Sequence, residues 1–170
     1  GEPSLGSGAI YPIAEREILV PTTEIPASWP RVYAMDVGWN RTAVIWGAKD
    51  PGSGRIVLYD EHYRGHGEPA SHAEGVRARG AWMHGVIDPA SSGSSQTDGR
   101  KLIDIYARLG LHLEPAVNAV EAGLTETWNL LVSGRLVVQE HLSNWRSAFR
   151  KYHRDEQGKI VKVSDHLMDA

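Results

Sequence analysis

The feature that most constrains the fold is a change in the spacing of apolar residues along the chain. Three strand-like runs come first, and Asp50-Pro51-Gly52 forms a turn between the second and the third. After them, short apolar runs alternate with segments whose apolar residues recur every three to four positions. The resulting order is β-β-β-α-β-α-β-α-β-α followed by a terminal helix. It predicts a mixed sheet with helices on both faces.

The predicted elements have clear boundaries. Gly110 and Gly134 follow two of the helical patterns, at the position where glycine commonly ends a helix. This order is that of ribonuclease H-like domains, so we predict an α/β fold with a ribonuclease H-like mixed sheet. Actin-like ATPases begin in a similar way, and order alone does not separate the two. Strands are predicted at 32–37, 42–48, 55–64, 84–88, 111–113 and 136–138, helices at 69–79, 99–109, 120–132 and 143–152, and a hairpin at 153–163.

Composition narrows the function. The 170 residues suffice for one domain with a core, and the absence of cysteine excludes disulfides, thiolate zinc sites and a cysteine nucleophile. A net charge of −3 argues against a general polyanion binder, so any nucleic-acid contact must come from a local patch. Residues 1–30, rich in Gly, Pro and Ser, predict a linker, and 31–170 the domain itself. The start without Met and the stop inside a helical pattern indicate a piece of a larger protein.

Three aspartates from distant parts of the chain are the candidate catalytic and metal-binding residues. Asp36 and Asp88 each end an apolar, strand-like run. Asp165 begins the terminal helix, and Asp169 lies one turn later on the same face. In α/β sheets the strand ends meet at a crevice, where these acids could share two Mg²⁺ or Mn²⁺ ions for phosphodiester hydrolysis.

Each acid also has a structural interpretation. Asp36 can form a turn before Gly38, Asp88 can start a loop before a proline, and Asp165 can cap its helix. On the third strand, Asp60 or Glu61 could be an auxiliary ligand, although a charge at the sheet edge is the commoner arrangement.

Basic residues late in the chain form a candidate DNA-binding patch. Such a patch binds the phosphate backbone rather than a sequence, and its alternative is an ordinary mixed surface. His166, next to the terminal acid, could contact a phosphate or a carboxylate that holds metal, or it could simply be solvated. The patch comprises Arg146, Arg150, Lys151, Lys159 and Lys162.

Several stretches together resemble the C-terminal nuclease domain of the large terminase subunit of tailed bacteriophages. The resemblance covers nearly the whole chain, and the final motif after two strand-end aspartates is its most specific part. The matching stretches are Ala34-Met35-Asp36-Val37-Gly38, Val86-Ile87-Asp88-Pro89-Ala90, Val120 to Leu124 through Ser133 to Leu136, and Lys159 to Lys162 leading to Asp165-His166-Leu167-Met168-Asp169-Ala170. Gly8-Ala9-Ile10-Tyr11-Pro12 is similar to the segment that leaves the ATPase domain in that family.

The resemblance implies metal-dependent cutting of concatemeric double-stranded viral DNA during genome packaging, in the host cell cytoplasm and away from any membrane. It maps the metal-binding acids to Asp36, Asp88 and Asp165, with Asp169 as the alternative third ligand. It also implies an N-terminal packaging ATPase domain, a portal and a small terminase subunit as partners. An actin-like ATP-binding domain and a catalytically silent DNA-binding module are the alternatives.

Overall fold

A computed structural model gives the fold and describes residues 8–9, 13–37, 41–65, 67–87, 96–116, 126–127, 129–151 and 153–154. The strands are β1 (Gly8–Ala9), β2 (Leu19–Val20), β3 (Arg31–Val37), β4 (Arg41–Lys49), β5 (Ile56–Gly65), β6 (His84–Ile87), β7 (His112–Pro115), β8 (Leu136–Gln139) and β9 (His153–Arg154). The helices are α1 (Glu15–Ile18), α2 (Pro69–Ala78), α3 (Gln96–Arg108) and α4 (Ser143–Lys151), with further helical residues at 126–127 and 129–132.

A seven-stranded sheet in the order β2-β8-β5-β4-β3-β6-β7 forms the centre of the domain. Strand β4 runs antiparallel to both of its neighbours, β3 and β5, whereas the other adjacent strands in this sheet are parallel. The carboxyl ends of the parallel strands therefore meet at one edge. We call this edge the carboxyl edge of the sheet. In α/β folds such an edge is where ligands bind.

Each face of the sheet packs against helices, because side chains alternate along the strands. On one face, called the α4 face, Ala43 and Ile45 pack with Trp145 and Phe149 of α4. The opposite face, called the α2–α3 face, carries a second cluster in which strand residues contact α2 and α3. Its buried members are Tyr33, Met35, Val44, Trp46, Ala73, Val76, Met83, Ile87, Tyr106 and Leu111.

Strand β6 fits beside β3 because it carries a glycine at the point of closest approach. A Cβ atom at Gly85 would lie 2.3 Å from the ring of Tyr33, and Gly85 pairs with Tyr33 in the parallel ladder. A larger residue at this position would push the two strands apart. The glycine therefore helps to fix the spacing between β3, which carries Asp36, and β6, which ends one residue before Asp88 in the sequence.

The structure confirms the predicted mixed sheet with helices on both faces, and most element bounds agree within a few residues. The 1–30 segment is predicted as a linker, and this assignment stays a prediction. Within its described part, α1 is helical and β2 pairs with β8, so this segment contributes an edge strand to the sheet. Beyond β9, which pairs with β1, the predicted hairpin and terminal helix lie outside the described residues.

Candidate active site

Asp36 lies near the end of β3, in the middle of the sheet and close to the carboxyl edge. Its side chain is buried, with 7% of the residue exposed. It pairs with Ala43 of β4, which belongs to the cluster on the α4 face. Asp36 is therefore on the α4 face, held by a central strand whose neighbours on both sides are hydrogen-bonded to it. A carboxylate on so rigid an element has a fixed direction, as a metal ligand requires.

Strand β6 ends beside Asp36. Its last residue, Ile87, pairs with Met35, and Val86 pairs with Ala34, which packs on the α4 face. Asp88 is bonded to Ile87 but lies outside the described residues. The described part of β6 thus brings the chain next to Asp36 one residue before the second candidate acid.

The remaining candidates near the end of the chain also fall outside the described residues. Within the described ranges, no group of three or more His, Asp or Glu side chains is close enough to hold a metal ion. Asp36 is the predicted metal ligand that the described structure contains. The candidates outside it are Asp88, Asp165, Asp169, His166, Lys159 and Lys162.

Glu61 holds the start of α4 over the sheet. Its carboxylate accepts hydrogen bonds from the backbone N–H and the side-chain amide of Asn144, at 2.9 and 3.1 Å, and from the backbone N–H of Trp145, at 2.8 Å. A negative charge at a helix N-terminus satisfies free N–H groups and interacts favourably with the helix dipole. Glu61 therefore positions α4 on the same face as Asp36. The sequence predicted for this residue either a charge at the sheet edge or an auxiliary metal ligand.

Asp60 points to the opposite face and forms an ion pair. Its Oδ2 atom accepts a hydrogen bond of 2.9 Å from Nε of Arg79. The guanidinium of Arg79 also lies over the ring of Trp46, 4.5 Å from its centroid. Asp60 thus joins α2 to the sheet on the α2–α3 face, away from Asp36.

Two of the predicted DNA-binding residues are joined to the N-terminal segment. Glu15 of α1 accepts a hydrogen bond of 2.5 Å from Nε of Arg146 and one of 3.0 Å from Nε of Arg150. Burial alone would raise the pKa of Glu15, but the hydrogen bonds and charges of the two arginines outweigh it and hold the pKa below its usual 4.5. Lys151, the third described member of the patch, is exposed. Arg146 and Arg150 therefore share one carboxylate, which offsets one of their two positive charges.

Arg41 is a basic residue close to Asp36 that the sequence reasoning missed. It is exposed at the start of β4, and its guanidinium carbon lies 5.1 Å from the centroid of the Tyr63 ring. Ala43, two residues further along β4, pairs with both Asp36 and Tyr63. The signal in the sequence was weak, because a single arginine at the start of an apolar run has no distinguishing pattern.

A pair of histidines lies between β5 and α2. The Nε2 atom of His62 is 3.0 Å from Nδ1 of His72, and both residues are buried. Burial, together with the nearby charges of His72, Arg79 and Arg64, lowers the pKa of His62 to about 4. This pair lies on the face opposite to Asp36 and ties α2 to the sheet.

The fold and the buried strand-end acid define the class of the domain, which is ribonuclease H-like. The order β5-β4-β3-β6-β7 with β4 reversed is its core, and β8 and β2 extend it beyond β5.

Comparisons with known proteins identify the group within this class. The chain is 31% identical over 191 residues to the large terminase subunit of Enterobacteria phage LP7, and the match covers the whole chain and 38% of that protein. The solved nuclease domain of the P22 large terminase is 28% identical, with a TM-score of 0.88 over 98% of this chain and 90% of that one. The chain is a homologue of the nuclease domain of bacteriophage large terminases. No family model matches it.

A more distant structure shares the fold alone. It is the nuclease domain of the large terminase of bacteriophage SPP1, solved with bound Mn. It is 18% identical, with a TM-score of 0.67 over 93% of this chain and 95% of that one. Because the chain spans well under half the length of its LP7 relative, the activity of a whole terminase does not transfer to it directly.

Proposed function

We propose that this chain is a metal-dependent endonuclease that cuts concatemeric double-stranded viral DNA during genome packaging. The observation that carries the proposal is a buried aspartate, Asp36, at the carboxyl edge of a fold that matches the P22 terminase nuclease domain over almost its full length. This likeness favours a nuclease over an actin-like ATP-binding domain. The alternative of a catalytically silent DNA-binding module is tested by the experiment below.

The proposed catalytic site contains Asp36, Asp88 and Asp165, with Asp169 as the alternative third ligand. Support for the first two comes from register. Val86 lies beside Ala34 on the α4 face, and side chains alternate along a strand, so a strand continued by two residues would bring Asp88 beside Asp36 on that face. Adjacent strands are about 4.8 Å apart, which is a distance at which two carboxylates can share a cation.

The donor set fits a hard divalent cation, because carboxylate oxygens are the ligands that Mg²⁺ and Mn²⁺ prefer. The presence of Mn in the SPP1 nuclease domain supports the same type of ion here. Two bound ions about 4 Å apart would stabilise the charge that develops on the scissile phosphodiester. The protein's own contribution is to hold Asp36 on a rigid central strand, and His166 would orient a carboxylate or a phosphate.

The proposed partners follow from the length of the relatives. The rest of a large terminase would supply the packaging ATPase domain, to which residues 1–30 would connect the nuclease domain at 31–170. The portal, the small terminase subunit and double-stranded DNA complete the set, in the cytoplasm of the host cell. Among the helices that the structure describes, none is long and apolar enough to cross a membrane.

Plasmid cleavage tests the proposal. The Asp36→Asn variant should lose Mn²⁺- or Mg²⁺-dependent nicking by at least about a hundredfold, since a ligand that helps to stabilise the transition state is gone. Its circular dichroism spectrum and thermal midpoint should stay near those of the wild type. Asp104→Asn is the matched control, because Asp104 is exposed on α3. Cleavage by Asp36→Asn at the wild-type rate, or a wild-type chain that binds DNA but never cuts it, would contradict the proposal.

A further inference from the structure

Arg41 occupies a position from which a cation can reach DNA held at Asp36. It lies at the start of β4, which is also the carboxyl edge of the sheet, because β4 runs opposite to its neighbours. Ala43 pairs with Asp36, and Arg41 is two residues away on the same strand, so Arg41 shares the α4 face. It is exposed, whereas Asp36 is buried. Arg41 therefore lies one strand away from Asp36 and nearer the carboxyl edge, and it is exposed to solvent.

The ring of Tyr63 fixes the direction of the Arg41 side chain. A guanidinium within about 6 Å of an aromatic centroid is attracted by the negative face of the ring, and the distance here is 5.1 Å. Tyr63 itself packs against the apolar cluster on the α4 face, so the ring is anchored. Stacking leaves the N–H groups at the rim of the guanidinium available, and these can donate two parallel hydrogen bonds to a phosphate.

Arg41 differs from two arginines of the predicted basic patch in its partner, and this difference favours Arg41 as a residue that binds DNA phosphate. Arg146 and Arg150 donate to the carboxylate of Glu15, and binding a phosphate would require them to leave it. Arg41 rests on a neutral ring instead, and this contact can persist while the guanidinium binds an anion.

We propose that Arg41, held by Tyr63, binds a backbone phosphate of double-stranded DNA and seats the strand beside Asp36. This inference rests on the proposed nuclease function and names a further residue that positions its substrate. The contact is with phosphate, so it acts on every sequence alike. In a chain with a net charge of −3, this contact would supply a local positive charge for DNA near Asp36.

Binding measurements without divalent metal test the inference independently of cleavage. We would measure the anisotropy of a labelled DNA duplex against the 170-residue chain at several salt concentrations, in EDTA. Arg41→Ala should weaken binding about tenfold, as expected for a lost charged hydrogen-bond pair. It should also make the slope of log K against log salt less negative by about 0.9, the value for one released phosphate contact on B-DNA. A purely structural role would leave that slope unchanged.

Variants of the same two residues separate charge from stacking. Arg41→Lys should keep the salt slope and lose only part of the affinity, because the charge stays but the bidentate geometry is lost. Tyr63→Phe should bind DNA like the wild type, since the ring remains. Tyr63→Leu should have a DNA affinity between those of the wild type and Arg41→Ala. Lys49→Ala is the matched control, because Lys49 is exposed at the other end of β4.

Cleavage kinetics in Mn²⁺ then show whether Arg41 acts on DNA binding or on the rate of the chemical step. Arg41→Ala should raise KM for DNA more than it lowers kcat, while Asp36→Asn should abolish cleavage and still bind DNA. Affinity and salt slope of Arg41→Ala equal to those of Lys49→Ala would overturn the role of Arg41, whatever the nuclease result. A wild-type chain without salt-dependent DNA binding would overturn it as well. Binding that depends on Arg41 in a chain that does not cut would refute only the proposed nuclease function.

Discussion

Replacing Glu15 by glutamine tests the link between the N-terminal segment and the basic patch. Glu15 accepts hydrogen bonds from both Arg146 and Arg150, more than 130 residues away in sequence. The Glu15 side chain is 21% exposed, and those of the two arginines are 30% and 57% exposed. The ion pair with Arg146 is thus partly shielded from water, whereas the ion pair with Arg150 is exposed and weakened by the solvent.

The expected loss of stability follows from these exposures. A partly shielded, charge-assisted pair contributes about 1 kcal/mol and an exposed pair about 0.3–0.5 kcal/mol. Glu15→Gln should therefore lower the free energy of unfolding by about 1.5 kcal/mol at pH 7. For a chain of this size this corresponds to a fall of about 3–6 °C in the thermal midpoint.

The pH dependence of the free energy of unfolding is a second test of the Glu15 ion pairs. The pKa of Glu15 is held below 4.5 in the folded chain, so its contribution is complete above about pH 4.5. It is lost as the pH falls through the folded pKa, where the carboxylate is protonated. The difference between wild type and Glu15→Gln should accordingly be constant from pH 6 to 8 and vanish in acid.

Calorimetry at several pH values measures the stability of the two variants. Binding of a DNA duplex measures how much the basic patch contributes to DNA affinity. Because Arg146 and Arg150 are freed, Glu15→Gln should bind DNA several-fold more tightly than the wild type at low salt. Glu17→Gln, on the exposed side of the same helix, is the control for charge alone. Equal stability of the Glu15 and Glu17 variants at pH 7 would refute the reasoning about the ion pairs, and equal DNA affinity would refute the role of the two arginines in binding.

Two further predictions concern the supports of the site. Glu61→Ala removes the carboxylate that caps α4, and it should lower the free energy of unfolding in urea by about 1–2 kcal/mol. Glu74→Ala, at an exposed position on α2, is the control, and an equal loss in both variants would contradict the capping role. His62 has a pKa of about 4 in the folded chain against 6.5 when free, so stability should fall by about 2–3 kcal/mol as the pH drops from 6.5 to 4. His62→Gln should flatten that part of the profile, and an unchanged slope would argue against the buried neutral pair.

The order of elements was predictable because hydrophobic spacing reports it directly. Apolar runs at 32–37 and 42–48 and the alternation at 55–64 predicted the antiparallel start, and the helical spacing that ends near Gly110 predicted α3. Leu19 and Val20 were too short a run to be recognised as a strand. They pair with β8 only because the folded chain brings that edge to them, and local sequence does not contain this information.

The location of one candidate acid was also predictable. Asp36 ends an apolar run in the sequence, and the structure has it near the carboxyl end of β3. Its role as a metal ligand stays a prediction. The contacts of Glu61 and Arg41 were not predictable, because each depends on a partner far away in the sequence. Glu61 meets the start of α4 more than 80 residues later, and Arg41 meets Tyr63 across the hairpin formed by β4 and β5. A charged residue on a strand gives no local sign of which helix end or ring it will contact.

The measurement that tests the central proposal most directly is a crystal structure of the chain with Mn²⁺, read by anomalous scattering. We expect two peaks about 4 Å apart at the carboxyl edge of the sheet, each bonded to a carboxylate oxygen of Asp36, Asp88 or the third acid, Asp165 or Asp169. Peaks located elsewhere, or Asp36 and Asp88 turned to different sides of the sheet with no shared ion, would contradict the account.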